Sequence, residues 1–139
     1  MSVVFFTDRD LGKQFPRILR AAGLAVERHD DHFKPATQDE EWLAEAGRRG
    51  WVAITHDKRI RYKPNELAAV IAHRVSLLVL IGPPPMAELA TSFVATSERI
   101  LSFAREHRPP YIAKVYRPSA SALARNPAAP GEICQWYQA

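Results

Sequence analysis

The chain has 139 residues, 47% of them apolar and 24% charged, the size and make-up of one globular domain with its own core. No stretch nears the about 18 to 20 apolar residues of a membrane span, and the opening Met1 to Phe6 lacks the basic segment of a signal peptide. The single cysteine, Cys134, excludes an internal disulfide framework and a cysteine-held zinc site, so a reducing cytoplasm is expected, and the net charge of +4 permits phosphate contacts without demanding them.

Val3 to Phe6 is a wholly apolar, β-branched and aromatic run, as a buried parallel strand requires, and it stops at Thr7-Asp8. Leu11, Phe15, Ile18, Leu19 and Ala22 recur at helical spacing, with Pro16 marking a start or kink and Gly23 closing the helix. Leu24 to Arg28 reads as a second strand and His29 to Ala36 as a polar loop. Thr37 to Arg49 reads as the clearest helix: Thr37 and Glu40 have capping-box spacing, acids crowd the first turn, and Arg48, Arg49 and Gly50 close it. Trp51 to Thr55 is a third buried strand, ending at His56-Asp57. A helix over Pro64 to His73, a very apolar strand over Val75 to Ile81 and a long helix over Met86 to Glu106 follow. Tyr111 to Tyr116 alternates like a last, edge strand. From residue 118 the chain is rich in Ala, Ser and Pro, as in a tail that folds back or awaits a partner. The expected division is therefore a domain over 1–117 and an extension over 118–139.

Alternation of strands and helices predicts a three-layer α/β/α sandwich with a mostly parallel central sheet. Ligands of such sheets bind outside the carboxyl ends of strands near a topological switch point, and two strands end there in aspartate, Asp8 and Asp57. Neighbouring carboxylates repel unless a cation lies between them, and oxygen donors suit magnesium or manganese. Each could instead cap the turn that follows it. A third acid is expected from the Thr37 helix. Glu40 has a structural use as partner of Thr37, whereas Asp39 lies four and seven residues before Leu43 and Ala46 and so shares their inward face. All three acids of that turn could also simply complement the helix dipole. Acids gather in the first half of the chain, while Arg105, Arg108, Lys114, Arg117 and Arg125 lie in an acid-poor last third.

Asp8-Arg9-Asp10-Leu11 after a strand, Asp39-Glu40-Glu41-Trp42-Leu43-Ala44 opening a helix, and Ile54-Thr55-His56-Asp57-Lys58 ending a strand together resemble PIN-like domains. The resemblance spans about residues 3 to 82 and is closest to a small branch containing VapC-type toxins with a shortened PIN-like fold. It implies a magnesium- or manganese-dependent endoribonuclease, with Asp8, Asp39 and Asp57 as metal ligands and catalytic residues, and Glu40, Glu41 and Glu66 as alternates. Thr55 and Asp10 would support them. Many PIN domains carry a fourth acid soon after the Thr-x-Asp motif; here Lys58-Arg59-Ile60-Arg61-Tyr62-Lys63 follows, with no acid before Glu66. Either Glu66 substitutes or the site holds one tight metal. The same stretch could bind RNA, with Lys58, Arg59, Arg61 and Lys63 on phosphates and Tyr62 stacking on a base, or could be a solvated loop. The toxin resemblance also implies a cognate antitoxin covering the acidic mouth, and PIN-like domains are often dimers.

His29, His32 and His56 are expected near that mouth, Trp42 and Trp51 in the core, and Cys134 and Trp136 packed or meeting a partner. Other readings stand beside the nuclease. Asp8-Arg9-Asp10 also resembles haloacid-dehalogenase-like phosphatases, which would make Asp8 a nucleophile and Asp10 its acid–base partner, and a receiver domain with Lys114 is a looser match. A catalytically weak PIN-like module that binds RNA or protein is the reading from a different class.

Overall fold

The computed structural model describes residues 2–138. Six strands form one sheet: β1 (Val4–Thr7), β2 (Ala25–Arg28), β3 (Val52–Thr55), β4 (Ser76–Ile81), β5 (Tyr111–Tyr116) and β6 (Glu132–Gln138). Their order is β2-β1-β3-β4-β5-β6, parallel throughout except for the antiparallel pair β5–β6. The helices are α1 (Gln14–Ala21), α2 (His29–His32), α3 (Asp39–Arg49), α4 (Pro64–Ala72), α5 (Met86–Glu106) and α6 (Ala120–Arg125). Among the described residues no helix is long and apolar enough to cross a membrane.

Strand residues alternate between faces, so one short apolar run feeds two cores. Phe5, Val52, Ile54, Leu78 and Leu80 point to the side covered by α1 and α5, where they meet Leu11, Phe15, Leu19, Phe93 and Ile100. Phe6, Ala53, Leu77, Val79 and Ile112 point to the side covered by α3 and α4, among Trp42, Leu43, Ala46 and Val70. The result is the α/β/α sandwich, with continuous apolar strands because both faces are covered. Phe6 is the keystone of the second core: its ring stacks between Trp42 and Trp51 at 5.5 and 5.3 Å. Truncating such a residue to alanine removes about 3–5 kcal/mol. α3 and α4 approach so closely at Gly47 that a β-carbon there would overlap the His73 carbonyl.

Four local features differ from the sequence expectations, each for a local reason. Leu11 belongs to a separate 3-10 turn, Arg9–Leu11, and not to the helix; α1 starts at Gln14, close to Pro16 as one of the two alternatives had it, so Pro16 lies in the first turn where no hydrogen bond is lost. The stretch expected as a loop contains the single turn α2, where buried His29 packs beside Phe6 and Phe33. α3 begins at Asp39, with Gln38 extended before it and no side-chain cap, and the Thr37 amide that Glu40 would have bonded is taken by the Lys34 carbonyl. The Thr37–Glu40 capping box does not form. Finally, β5 is interior. The segment after residue 118 turns through α6 and returns as β6, which takes the edge. Its return is anchored at Gly131, whose amide donates to Thr96 Oγ1 at 2.9 Å and whose carbonyl accepts from Arg99 Nη1 at 2.7 Å. A side chain at Gly131 would collide with the Tyr116 carbonyl.

Candidate functional site

From β1 the chain moves outward to β2, then passes back over β1 to begin β3. The carboxyl ends of β1 and β3 therefore flank the switch point, where the two crossovers diverge and leave a crevice. The Asp8 amide donates to the Ile54 carbonyl at 2.9 Å and ties the two ends together.

The hub of the site is Thr55, the last residue of β3, fully buried. Its Oγ1 hydroxyl lies 2.8 Å from Asp8 Oδ2 and 3.2 Å from Asp10 Oδ2, so one hydrogen serves two carboxylates. The same oxygen accepts the Asp57 amide at 3.1 Å. Asp10 reaches the hub because the 3-10 turn folds it back beside Asp8. That turn is opened by Asp8 itself, whose Oδ1 accepts the Arg9 amide at 2.6 Å. The His56 amide donates to Asp10 Oδ2 at 3.1 Å. The His56 ring is pinned by Nε2 to the Gly82 carbonyl at 2.7 Å; a carbonyl only accepts, so Nε2 carries the hydrogen.

The carboxylates experience opposite fields. Burial, then the charge of Asp10, push the Asp8 carboxyl up to about 7; Asp39 adds to the rise, and the Thr55 and Arg9 hydrogen bonds only partly offset it. Asp10 is exposed as a residue, yet its carboxyl turns inward, and loss of water chiefly raises its pKa against hydrogen bonds from His56 and Thr55. Asp57 is lowered: partial burial works against its charge, but Lys63 Nζ at 2.6 Å and the Arg59 amide at 3.0 Å outweigh it. Lys63 is held charged in turn by that bond and by the nearby charges of Asp39 and Glu66. Glu66 is raised, chiefly by loss of water, with Glu40 and Asp39 adding. Asp39 sits in the first turn of α3, where its Oδ1 accepts from Trp42 Nε1 at 2.9 Å.

The sequence-derived residues thus fall into two groups. Asp8 and Asp10 meet at Thr55, within the field of Asp39. Asp57 turns to Lys63, in the field that Asp39 and Glu66 also supply. Glu40 is half-buried, whereas Glu41, Lys58 and Arg59 are exposed. Arg61 and Tyr62 lie in a second 3-10 turn, Ile60–Tyr62, directly after the mouth. His29 is sealed in the aromatic core, and His32 lies against Trp51 with centroids 5.1 Å apart. Two relations were not evident from the sequence: the pairing of Lys63 with Asp57, and the arrival of Trp136 and Tyr137 beside Arg61. The Asp-x-Asp spacing was the available signal for Asp10.

Among the described residues no three His, Cys, Asp or Glu side chains are gathered so as to hold a metal ion. The Asp8–Asp10 pair nevertheless has the donor chemistry of a hard-cation site. Its ligands are oxygen only, and negative charge is concentrated there without a cationic partner. A family profile described as a PIN like domain matches residues 3–82, which run from before β1 to just past β4 and include every acid of the site. The chain belongs to the PIN-like domain family. PIN domains are generally nucleases and usually bind divalent metals. The match ends at Gly82, so α5, β5, α6 and β6 lie beyond the matched residues. No curated protein and no solved structure matches the chain.

Proposed function

We propose that the chain is a metal-dependent endoribonuclease that acts as the toxin of a toxin–antitoxin pair. The observation that carries this reading is the convergence of Asp8 and Asp10 on Thr55 at the switch point, with Asp39 close enough to raise the Asp8 carboxyl further. Asp8 and Asp10 are the residues that would hold a Mg²⁺ or Mn²⁺ ion, with the charge of Asp39 nearby. When bound, such an ion supplies an activated water and a counter-charge for the leaving oxygen. The chain's own groups do the rest. Thr55 and the Arg9 and His56 amides orient the two carboxylates. Lys58, Arg59 and Arg61 present positive charge for RNA phosphates. Lys63 holds Asp57 ionised at the rim. The proposed antitoxin would place a segment over this mouth, and a homodimer would leave it open on each copy.

The test is RNA cleavage by the full chain with Mn²⁺, with and without a chelator, for wild type and for Asp8→Asn and Asp57→Asn. The expected result is cleavage abolished by the chelator and by Asp8→Asn. Cleavage unchanged in Asp8→Asn would sink the metallonuclease reading. A second reading, a PIN-like module that binds RNA with little or no cleavage, is favoured by one observation: the Lys63 ammonium already neutralises the carboxylate of Asp57. RNA binding by a wild type that cleaves nothing would select it.

A further inference from the structure

Among the described residues, Tyr62 is one of two large apolar side chains left exposed, with 67% of its surface open. Its setting is unusual for a loop residue. The Arg61 guanidinium lies over three rings, with its Cζ 5.2 Å from Tyr62, 5.7 Å from Trp136 and 5.2 Å from Tyr137. Tyr62 meets Trp136 edge-on, at 5.7 Å and 79° between planes. Lys114 Nζ stands 4.2 Å from the Trp136 centroid. The Arg61 Nε is buried and has no hydrogen-bond partner. Lysine and arginine over aromatic faces are attracted by the ring quadrupole, so these contacts hold the cluster rigid. Rigidity matters because an aromatic fixed in place loses little entropy when a planar ligand stacks on it.

This ridge is joined to the acidic mouth. Tyr62 is followed by Lys63, whose ammonium is bonded to Asp57, and Lys58 and Arg59 are exposed on the same connection. The rings that brace it come from β6, outside the matched PIN-like segment. Exposed ring, cationic neighbours and proximity to a phosphodiester-cleaving mouth are the components of a single-strand binding surface. There the backbone follows positive charge and bases stack on aromatics.

We propose that Tyr62, braced by Arg61, Trp136 and Tyr137, is a stacking platform for a base of single-stranded RNA, and that β6 exists in part to build it. The proposal rests on the nuclease reading for its choice of RNA, but it concerns binding and is tested apart from cleavage. The probe is a fluorescein-labelled oligouridylate, titrated with the full chain in a chelator and followed by anisotropy. The same strand annealed to oligoadenylate serves as competitor. The expected result is that Tyr62→Ala weakens binding about tenfold, the scale of one lost stacking ring. Tyr62→Phe restores it, and the duplex competes poorly. Binding should also quench tryptophan emission in wild type and not in Trp136→Phe, since Trp42 and Trp51 are buried. Equal affinity of wild type and Tyr62→Ala, or equal competition by the duplex, would overturn the platform. Tyr62 is exposed, so its variants fold irrespective of the bracing contacts. Because metal is absent, loss of cleavage in Asp8→Asn leaves this result untouched, and failure of the platform leaves metal-dependent cleavage standing.

Discussion

β1 and β3 are adjacent strands of the same length, each a run of apolar residues closed by threonine, and each delivers an aspartate to the same crevice. The two aspartates meet different fates. Asp8 is half-buried next to Asp10, and loss of water around its carboxyl lets it hold its proton up to about pH 7. Asp57 lies beside Lys63 and is ionised below the ordinary carboxylate range. Equivalent positions in a sheet are therefore not electrostatically equivalent. What distinguishes them is the turn that follows: Arg9–Leu11 folds a second acid back, whereas the 59–63 turn folds a lysine back. Among the described residues, the acids at the β1 end form no ion pair, whereas Asp57 at the β3 end is paired with Lys63.

The sharpest way to break this contrast is to delete the uncompensated charge. Asp8→Asn should reduce Mn²⁺-dependent RNA cleavage by at least about 100-fold, as loss of a metal-binding carboxylate does. It should at the same time raise the thermal midpoint of the metal-free protein at pH 8, read by calorimetry. Asp57→Asn should lower cleavage less and should not stabilise. Equal losses in the two variants would erase the distinction.

Next in size is the hub that the two ends share. Thr55→Val keeps the shape and removes the hydroxyl, so the two carboxylates lose the one donor they share. Cleavage should fall about tenfold, with Thr55→Ser near wild type. A Val variant as active as Ser would show that the hydroxyl does not position the acids.

The pH dependence of stability separates the ends without any substrate. The folded value of Asp8 lies above its ordinary 3.8, so its stabilising effect is complete below about pH 4 and is lost as pH rises through 7. Asp57 has the opposite sign: its contribution is present above the ordinary carboxylate range and is lost as pH falls through its lowered value. The metal-free chain should therefore have a midpoint several degrees higher at pH 5.5 than at pH 8. Asp8→Asn should remove most of that difference, and Mn²⁺ at pH 8 should recover it in wild type. A flat wild-type profile between these pH values would contradict the raised Asp8 carboxyl.

The smallest effect is expected from Lys63→Met, which releases Asp57. Half-exposed ion pairs contribute roughly 1 kcal/mol, so Mn²⁺ should bind about fivefold more tightly, as read by titration calorimetry. Unchanged affinity would mean that Asp57 stands outside the cation's reach even when free.

Much of the frame was legible because it rests on periodicity and composition. Apolar runs marked β1, β3 and β4, and the span Met86 to Glu106 coincides with α5. The strand-end aspartates followed from those runs. The turns were less legible. Thr37 satisfies the capping pattern, yet the chain uses its amide in a preceding turn and opens α3 two residues later. β6 was hidden because Glu132 to Gln138 mixes exposed polar residues with aromatics and follows a Pro- and Ala-rich connection; pairing with β5 and the Gly131 anchor decide it. The pairing of Asp57 with Lys63 depends on a 3-10 turn that returns a side chain over six residues. Such turns carry no periodic signal.

The Thr55 hydroxyl reaches across 47 positions of sequence to Asp8. A nascent chain that has emerged only as far as α3 has its first acids but nothing to bring them together. The hub closes only when β3 docks against β1, after two crossovers have been laid down. The acidic mouth therefore requires β3 in place beside β1, and a fragment that ends before β3 carries Asp8, Asp10 and Asp39 without the site.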